Sequence, residues 1–421
     1  MTARPFSLLL ALAAAILAAA PAEATGNQVA NTLKGYVEQS PQTGALVWRL
    51  DAAGPTVVAS HQPESARLPA STMKLVTTAG ALTALGPNFR FSTRLYTSTG
   101  AKLQRGLLQG PLYLQGGGDP VLATRAYAKR YLGGRGANLR RLAKPLKRRG
   151  IRRVRGPIVA DERIFDTKRL GRQWLSRYTL YSQPLSGLTT NQSFAGDTQG
   201  PYASRPAIAA GSRLKATMRG VGVAHSGSVR IGRTPKRGRL LATAQSPSLR
   251  TISRMMNTTS DNHMAETLVK GVGAYAVGKG TSAAGSKRIA VALRERGILT
   301  TGDRLADGSG LSRANRLSAA SLVRLMAFAD QDTTWGPTLI RSLPRGGEGT
   351  LRRRFLGSAR KRVRAKTGYI SGVSTLAGRV VSRRGKVYVF ALLMNGGELT
   401  AARTTQDRIV ALLASGAADA A

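Results

Sequence analysis

The chain contains no cysteine and only three histidines, His61, His225 and His263, none of them in a His-Glu-x-x-His arrangement. Thiol nucleophiles, disulfides and Cys-ligated zinc are therefore excluded, and a His-based triad or metal site is disfavoured. Nucleophilic chemistry has to rest on hydroxyls and lysine amines. Ser71-Thr-Met-Lys74 is the first candidate. At a helix start, the three-residue spacing stacks Lys74 one turn from Ser71 on the same face. A neutral amine there can take the hydroxyl proton, while the free N–H groups of the first turn polarise an attacked carbonyl. The pattern alone is weak, because Ser212-Arg-Leu-Lys215 and Ser358-Ala-Arg-Lys361 match it too. The alternation Leu214, Ala216, Met218 predicts a strand that turns Lys215 off any helical face. Ser358 sits in a basic run without an apolar stripe. Only Ser71 opens a helix with a core-facing side.

Two further motifs follow in order. Ser260-Asp261-Asn262 begins a predicted helix carrying Met264 and Leu268, so a second hydroxyl and a carboxamide can enter the same cleft. Lys366-Thr367-Gly368 precedes a predicted hairpin formed by 374–381 and 386–394. A cation and a hydroxyl can hold a carboxylate, and the glycine lets an extended substrate backbone approach a strand edge. His225-Ser226-Gly227 has similar chemistry but precedes Ser260, which breaks the order.

Ser-x-x-Lys, Ser-x-Asn and Lys-Thr-Gly in this order resemble the signature of penicillin-recognising serine enzymes. The runs Gly117-Gly118-Asp119-Pro120, Met256-Asn-Thr-Thr-Ser-Asp-Asn262, Asp307-Gly-Ser-Gly-Leu-Ser-Arg313 and Gly372-Val-Ser-Thr-Leu-Ala-Gly378 narrow the resemblance. It points to the D-alanyl-D-alanine carboxypeptidase/endopeptidase family of low-molecular-mass penicillin-binding proteins, and it extends over nearly the whole chain after residue 24. The resemblance implies that Ser71 is the acylated nucleophile and Lys74 its proton acceptor. Ser260 and Asn262 would serve proton relay and substrate-amide binding, and Lys366, Thr367 and Gly368 the substrate's terminal carboxylate. The backbone N–H groups of Ser71 and Tyr369 would form the oxyanion hole. Tyr369 stands where the family usually has Thr or Ser. Asp161 is similar to an inserted-domain aspartate that faces the cationic end of peptidoglycan peptides, with a strand-end turn role as its alternative. Arg313 is read as a cleft residue, with helix capping or packing as the alternative. No metal and no organic cofactor is implied.

The elements that must position these residues read as one α/β (α+β) domain built from both ends of the chain. Helices are expected at 27–39, from Ser71 to Gly86-Pro87, and at 400–414, with a hairpin at 45–60. A strand-rich inserted domain, 89–245, separates the parts 25–88 and 246–421. With the resemblance, the two flanking parts correspond to a penicillin-binding transpeptidase/β-lactamase-like domain, an antiparallel sheet with flanking helices. Arg4, the apolar run 6–20 and Ala22-Glu-Ala24 predict a secretory signal peptide over 1–24. The run is shorter than the ~20 residues of a spanning helix. No transmembrane anchor is therefore expected after cleavage, and the protein is expected outside the cytoplasm, in the periplasm or wall.

Sixty-four Lys and Arg face 20 Asp and Glu, a net charge of +44. The cations crowd 125–172 and 352–364. A field of that sign favours anionic partners. Aromatic platforms do not interleave these runs, which argues against nucleic acid. Anionic cell-envelope polymers or lipid headgroups stand against a solvated face with no dedicated ligand. The expected function is a secreted serine D-Ala-D-Ala carboxypeptidase, with endopeptidase action on D,D-crosslinks as an extension. Its partners would be peptidoglycan stem peptides and β-lactam antibiotics. The alternatives are a non-catalytic wall-binding or β-lactam-sensing protein and a serine β-lactamase. The Glu-to-Asn spacing of the best-known β-lactamase base is absent between Asn262 and Lys366.

Overall fold

The computed structural model describes residues 27–171, 174, 178 and 180–419, so the expected signal peptide lies outside the described residues. The chain divides into two compact units. One comprises the chain up to Pro87, Ser253–Asp261 and everything from Ser286 onward; the other comprises Asn88–Ile252 and Asn262–Gly285.

The first unit is organised by a five-stranded antiparallel sheet. Its strands are β1 (Gly44–Asp51), β2 (Gly54–His61), β3 (Val363–Ile370), β4 (Val373–Val381) and β5 (Val387–Asn395), in the order β3-β4-β5-β1-β2. The sheet joins the two ends of the sequence at its centre, where β1 pairs with β5 from Gly44 opposite Leu393 to Leu50 opposite Val387. Helices Gln28–Val37 and Leu399–Ser415 bury Val29, Leu33, Ile409 and Leu413 with Val47, Leu376 and Phe390 of the sheet. Asn27 starts the first of these helices by accepting the N–H groups of Val29 and Ala30. A short 3-10 turn, Ala70–Thr72, leads into the helix Met73–Leu85. Every residue from Met73 to Leu82 is buried, so this helix is a central strut with no solvent face. Lys-Thr-Gly lies inside β3, an edge strand that extends the expected hairpin by one strand.

The second unit carries a mixed five-stranded sheet ordered Val229–Ile231, Ile158–Asp161, Leu112–Gln115, Ser92–Ser98 and Gly238–Gln245. Its first two pairings are parallel and its last two antiparallel. The helices Arg140–Arg148 and Pro206–Arg219 close its core with Leu142, Leu146, Leu214 and Met218. The second helix corrects the strand expected around 214–218. Ala207, Ala210, Leu214 and Met218 are buried at three- and four-residue intervals, while Ala216 is exposed. Ser212 and Lys215 therefore do share a helix. Lys215 is spent elsewhere, donating to the Gly227 carbonyl at 3.0 Å.

Asp119 of the Gly-Gly-Asp-Pro run is buried in this unit. Its Oδ1 accepts the Val121 N–H at 2.9 Å, and its Oδ2 accepts no hydrogen bond from the described residues. Burial pushes the carboxyl up to about 7, against the smaller opposing effect of the Val121 N–H. A carboxyl whose pKa is raised by folding binds its proton more tightly in the folded chain. Stability therefore falls as pH rises from about 4, the unfolded value, to about 7. Asp119→Asn, which keeps the acceptor for Val121, is expected to raise the unfolding midpoint in urea at pH 8 and to leave it nearly unchanged at pH 4. An equal shift at both pH values would show that ionisation of Asp119 is not what costs stability.

Candidate active site

The segment 67–72 is clamped from two sides before it delivers Ser71. On the sheet side, the Asn395 carboxamide accepts the Leu68 N–H at 3.0 Å, and the Thr375 hydroxyl on β4 donates to the Pro69 carbonyl at 2.8 Å. On the other side lies the loop 307–315. Asp307 holds that loop in a tight turn by accepting the N–H groups of Gly310 and Ser312 at 2.8 and 2.6 Å, and the Asn315 Nδ2 at 2.7 Å. Gly310 has φ +87°, and a Cβ there would stand 1.8 Å from the Ala70 carbonyl oxygen. Only glycine permits that contact.

Lys74 lies one turn into the structure that Ser71 opens and is fully buried. Its Nζ donates to Ser71 Oγ at 2.9 Å and to the Ser309 carbonyl at 2.7 Å. The next turn is pinned by Thr77, which donates to Gly308 O, and by Thr78, which receives the Asn257 Nδ2 at 3.0 Å. Asn257 also donates to Ser342 Oγ at 2.8 Å and is itself buried.

A second hydroxyl–amine pair repeats the arrangement. Lys366 Nζ on β3 donates to Ser260 Oγ at 2.9 Å and to the Thr367 carbonyl at 2.7 Å. Ser260 adopts φ +60°, a left-handed conformation costing roughly 1–3 kcal/mol outside glycine. It turns the chain after the helix Leu249–Thr259, and the Asp261 N–H reaches back to Met256 O at 3.0 Å. Lys366 is fully buried, and no carboxylate among the described residues ion-pairs with it. Burial first, and the charge of Lys74 second, hold its ammonium well below the usual lysine value.

Ser71, Ser260, Thr367, Gly368, Tyr369 and Arg403 share one cleft of about 720 Å³. Gly368 brings the edge strand against the Ser71 peptide. A Cβ on Gly368 would lie 2.2 Å from Thr375 Oγ1, 2.8 Å from Ser71 N and 3.0 Å from Pro69 O. Tyr369 is 56% exposed, with the Arg403 guanidinium 5.7 Å from its ring centroid. Arg313 donates to the Ser371 carbonyl at the β3–β4 turn. The cleft also carries three successive arginines, Arg352 to Arg354, of which Arg354 pairs with Asp407.

Asn262 and Asp161 belong to the second unit. The Asn262 carboxamide donates to Tyr181 O at 2.8 Å. Asp161 ends its strand 3% exposed, with Oδ1 accepting the Arg163 Nε at 3.0 Å and Oδ2 accepting the Arg163 Nη2 and the Thr234 N–H, both at 2.8 Å. These partners hold its carboxyl below the usual range against the larger effect of burial. The exposed decoy Ser358 sits in a 3-10 turn.

Sequence reasoning overlooked the carbonyl of Ser309 and the bracing by Asp307, Asn315 and Asn257. The available signal was an Asp three residues ahead of a glycine in a short Gly-Ser-Gly run, which is turn chemistry rather than catalytic chemistry.

Comparison with known proteins places these motifs in a family context. The model of the D-Ala-D-Ala carboxypeptidase 3 (S13) family matches residues 29–199 and 193–416. The carboxypeptidase DacB of Mycolicibacterium smegmatis is 32% identical over 415 residues, covering 95% of this chain and 84% of the relative. The D-alanyl-D-alanine carboxypeptidase of Actinomadura sp. (strain R39) is 31% identical over 428 residues, covering 82% of this chain and 77% of the relative. Penicillin binding protein 4 from Haemophilus influenzae shares the fold, with a TM-score of 0.73 at 22% identity over 90% of this chain and 98% of its own. Its complex with a novel β-lactam superimposes with a TM-score of 0.69.

The contact at Gly368 predicts that Gly368→Ala separates β3 from Ser71 while the buried sheet keeps the fold. With Ser71 as the expected nucleophile, covalent labelling by a fluorescent penicillin is expected to slow about 100-fold, since a displacement near 1 Å costs about that much. Acylation at the wild-type rate would show that the close approach is not required.

Proposed function

The chain belongs to the D-Ala-D-Ala carboxypeptidase 3 (S13) family, and from that premise we propose that it is a serine carboxypeptidase removing the terminal D-alanine from peptidoglycan stem peptides. The observation that carries the reading is the 2.9 Å contact between the buried Lys74 amine and the Ser71 hydroxyl, at a cleft edged by β3. The substrate's C-terminal segment would lie along this edge strand, its carboxylate reached by Lys366 and Thr367. A carboxylate arriving beside Lys366 raises its proton affinity, so substrate binding is coupled to proton uptake.

Ser71 Oγ attacks the carbonyl carbon of the terminal peptide bond as Lys74 Nζ takes the hydroxyl proton. The backbone N–H groups of Ser71 and Tyr369 stabilise the oxyanion. Collapse of the tetrahedral intermediate breaks the C–N bond, and the leaving nitrogen receives a proton through the Lys74, Ser260 and Lys366 group. Water then hydrolyses the ester by the same proton path. β-Lactams enter as acylating analogues that leave slowly, and a D,D-crosslink would be cut by the same steps with a larger leaving group. We retain Asn262 as the ligand of the substrate amide; Arg313, expected in the cleft, is assigned instead to packing as a brace of the β3–β4 turn through the Ser371 carbonyl. Asp161 is assigned to the strand end, because Arg163 and Thr234 already engage its oxygens. The protein would act outside the cytoplasm; among the described residues no helix is long and apolar enough to cross a membrane.

Release of D-alanine from a diacyl tripeptide ending in D-Ala-D-Ala, compared between wild type and Ser71→Ala, tests the reading. Loss of the nucleophile is expected to lower the rate at least 1,000-fold, and only the wild type should gain the mass of a bound penicillin. Equal release by both proteins would remove the catalytic assignment. Penicillin turnover at many per second would favour the β-lactamase reading.

A further inference from the structure

The second unit contains a cleft of about 1130 Å³ outside the serine site. Six cations line it: Arg125, Arg140, Arg141, Lys144, Lys147 and Arg148, and no carboxylate shares the lining. None of the six forms an ion pair with a carboxylate of the described residues.

Five of them come from one helix, Arg140–Arg148, whose opposite face buries Leu142, Ala143 and Leu146 in the core. Folding this helix therefore fixes the cations on one side and holds them there. Their placement works against local stability in two ways. Like charges at i, i+4 (Arg140 and Lys144) and at i, i+3 (Lys144 and Lys147) repel across a turn. Arg140 and Arg141 occupy the first helical turn, where the macrodipole favours anions and no acidic residue is present. Lys147 and Arg148 suit the last turn, but Arg140, Arg141 and Lys144 crowd like charge toward the other end with no carboxylate paired to them among the described residues, a local cost that an external anion would relieve.

The geometry narrows that anion. Arg140, Lys144 and Lys147 recur at four- and three-residue intervals, so charge repeats every ~4.5–6 Å along the axis. A single phosphate or carboxylate engages one repeat; a chain with closely spaced anionic groups engages all of them. The lining is an open groove of about 1130 Å³, which a linear polymer can follow. It contains no aromatic side chain, so there is no platform on which nucleobases stack. The floor is kept low by Gly220 and Gly222; Gly222 has φ +83°, and a Cβ there would stand 3.3 Å from Lys147 Nζ.

We propose that this cleft binds a linear, base-free polyanion, a phosphodiester- or carboxylate-bearing polymer, along the cationic face of the helix Arg140–Arg148. The site is separate from the serine chemistry in sequence and function, so failure of either assignment leaves the other standing.

Fluorescence anisotropy with the full chain tests it, using labelled oligo(glycerol phosphate), oligogalacturonate, neutral dextran and a 12-nucleotide single-stranded DNA. At least one of the first two probes should bind at low salt, with the stronger identifying the phosphodiester or carboxylate source, and dextran should not. The triple substitution Arg140→Glu, Lys144→Glu, Lys147→Glu should weaken that binding at least 10-fold and lower the slope of log K against log salt by about 2. Arg140→Gln, Lys144→Gln, Lys147→Gln, which keeps good helix formers, should act in the same direction. D-alanine release should be unchanged in both. The proposal is overturned if neither anionic oligomer binds, or if the DNA binds more tightly than both. It is equally overturned if Lys361→Glu, Arg383→Glu, Arg384→Glu weakens binding as much, because the field would then be diffuse.

Discussion

Taking a lysine ammonium out of water is expensive, and the first unit does so twice, on two elements nearly three hundred residues apart in sequence. Lys74 and Lys366 are both fully buried, and the charge of Lys74 adds to burial in driving Lys366 toward its neutral form. Two such amines cannot both stay charged cheaply, so their protons belong to the pair rather than to either residue. Each Nζ donates to a serine hydroxyl and to a backbone carbonyl, which are the partners a desolvated amine requires. The rest of the site follows from keeping these groups in place.

Much of the first unit serves that purpose. The β1–β5 pairing ties the N-terminal and C-terminal parts of the chain into one sheet, so the strand bearing Lys366 can be built beside the helix bearing Lys74. The loop 307–315 has no reacting group of its own. It supplies the Ser309 carbonyl, and its shape is set by Asp307 and by the missing side chain of Gly310. Backbone strain sits on both sides of the site: Ala70, immediately before Ser71, has φ +45°, and Ser260 at φ +60° aims a hydroxyl at Lys366. These features supply preorganisation, in which the donors and acceptors are already oriented before substrate arrives.

Much of this organisation was legible in the sequence because it is local. Gly86-Pro87 as a helix stop and the antiparallel hairpin of 374–381 with 386–394 are chemistry between near neighbours in sequence. The ordered serine, lysine and glycine motifs were legible for the same reason. What escaped was either ambiguous in period or non-local. Leu214 and Met218 fit both a strand and a helix, and only the burial of Ala207 and Ala210 with exposure of Ala216 separates the two. The all-round burial of Met73–Leu82 and the tie from Asn257 to Thr78 depend on partners distant in the chain. Asp161 and its neutralisation by Arg163, only two residues away, show the opposite case, in which a local pair competes with a distant role.

Protonation of the buried pair can be measured at the lysine nitrogens themselves. Lysine Nζ signals can be followed by nitrogen-15 NMR as pH is raised, with the Lys366 signal assigned through Lys366→Met. This signal is expected to titrate well below the ordinary lysine value of about 10.4 and to move upward when Lys74 is replaced by methionine. A Lys366 signal that titrates with the surface lysines, and that ignores the loss of Lys74, would contradict the coupling of the two amines.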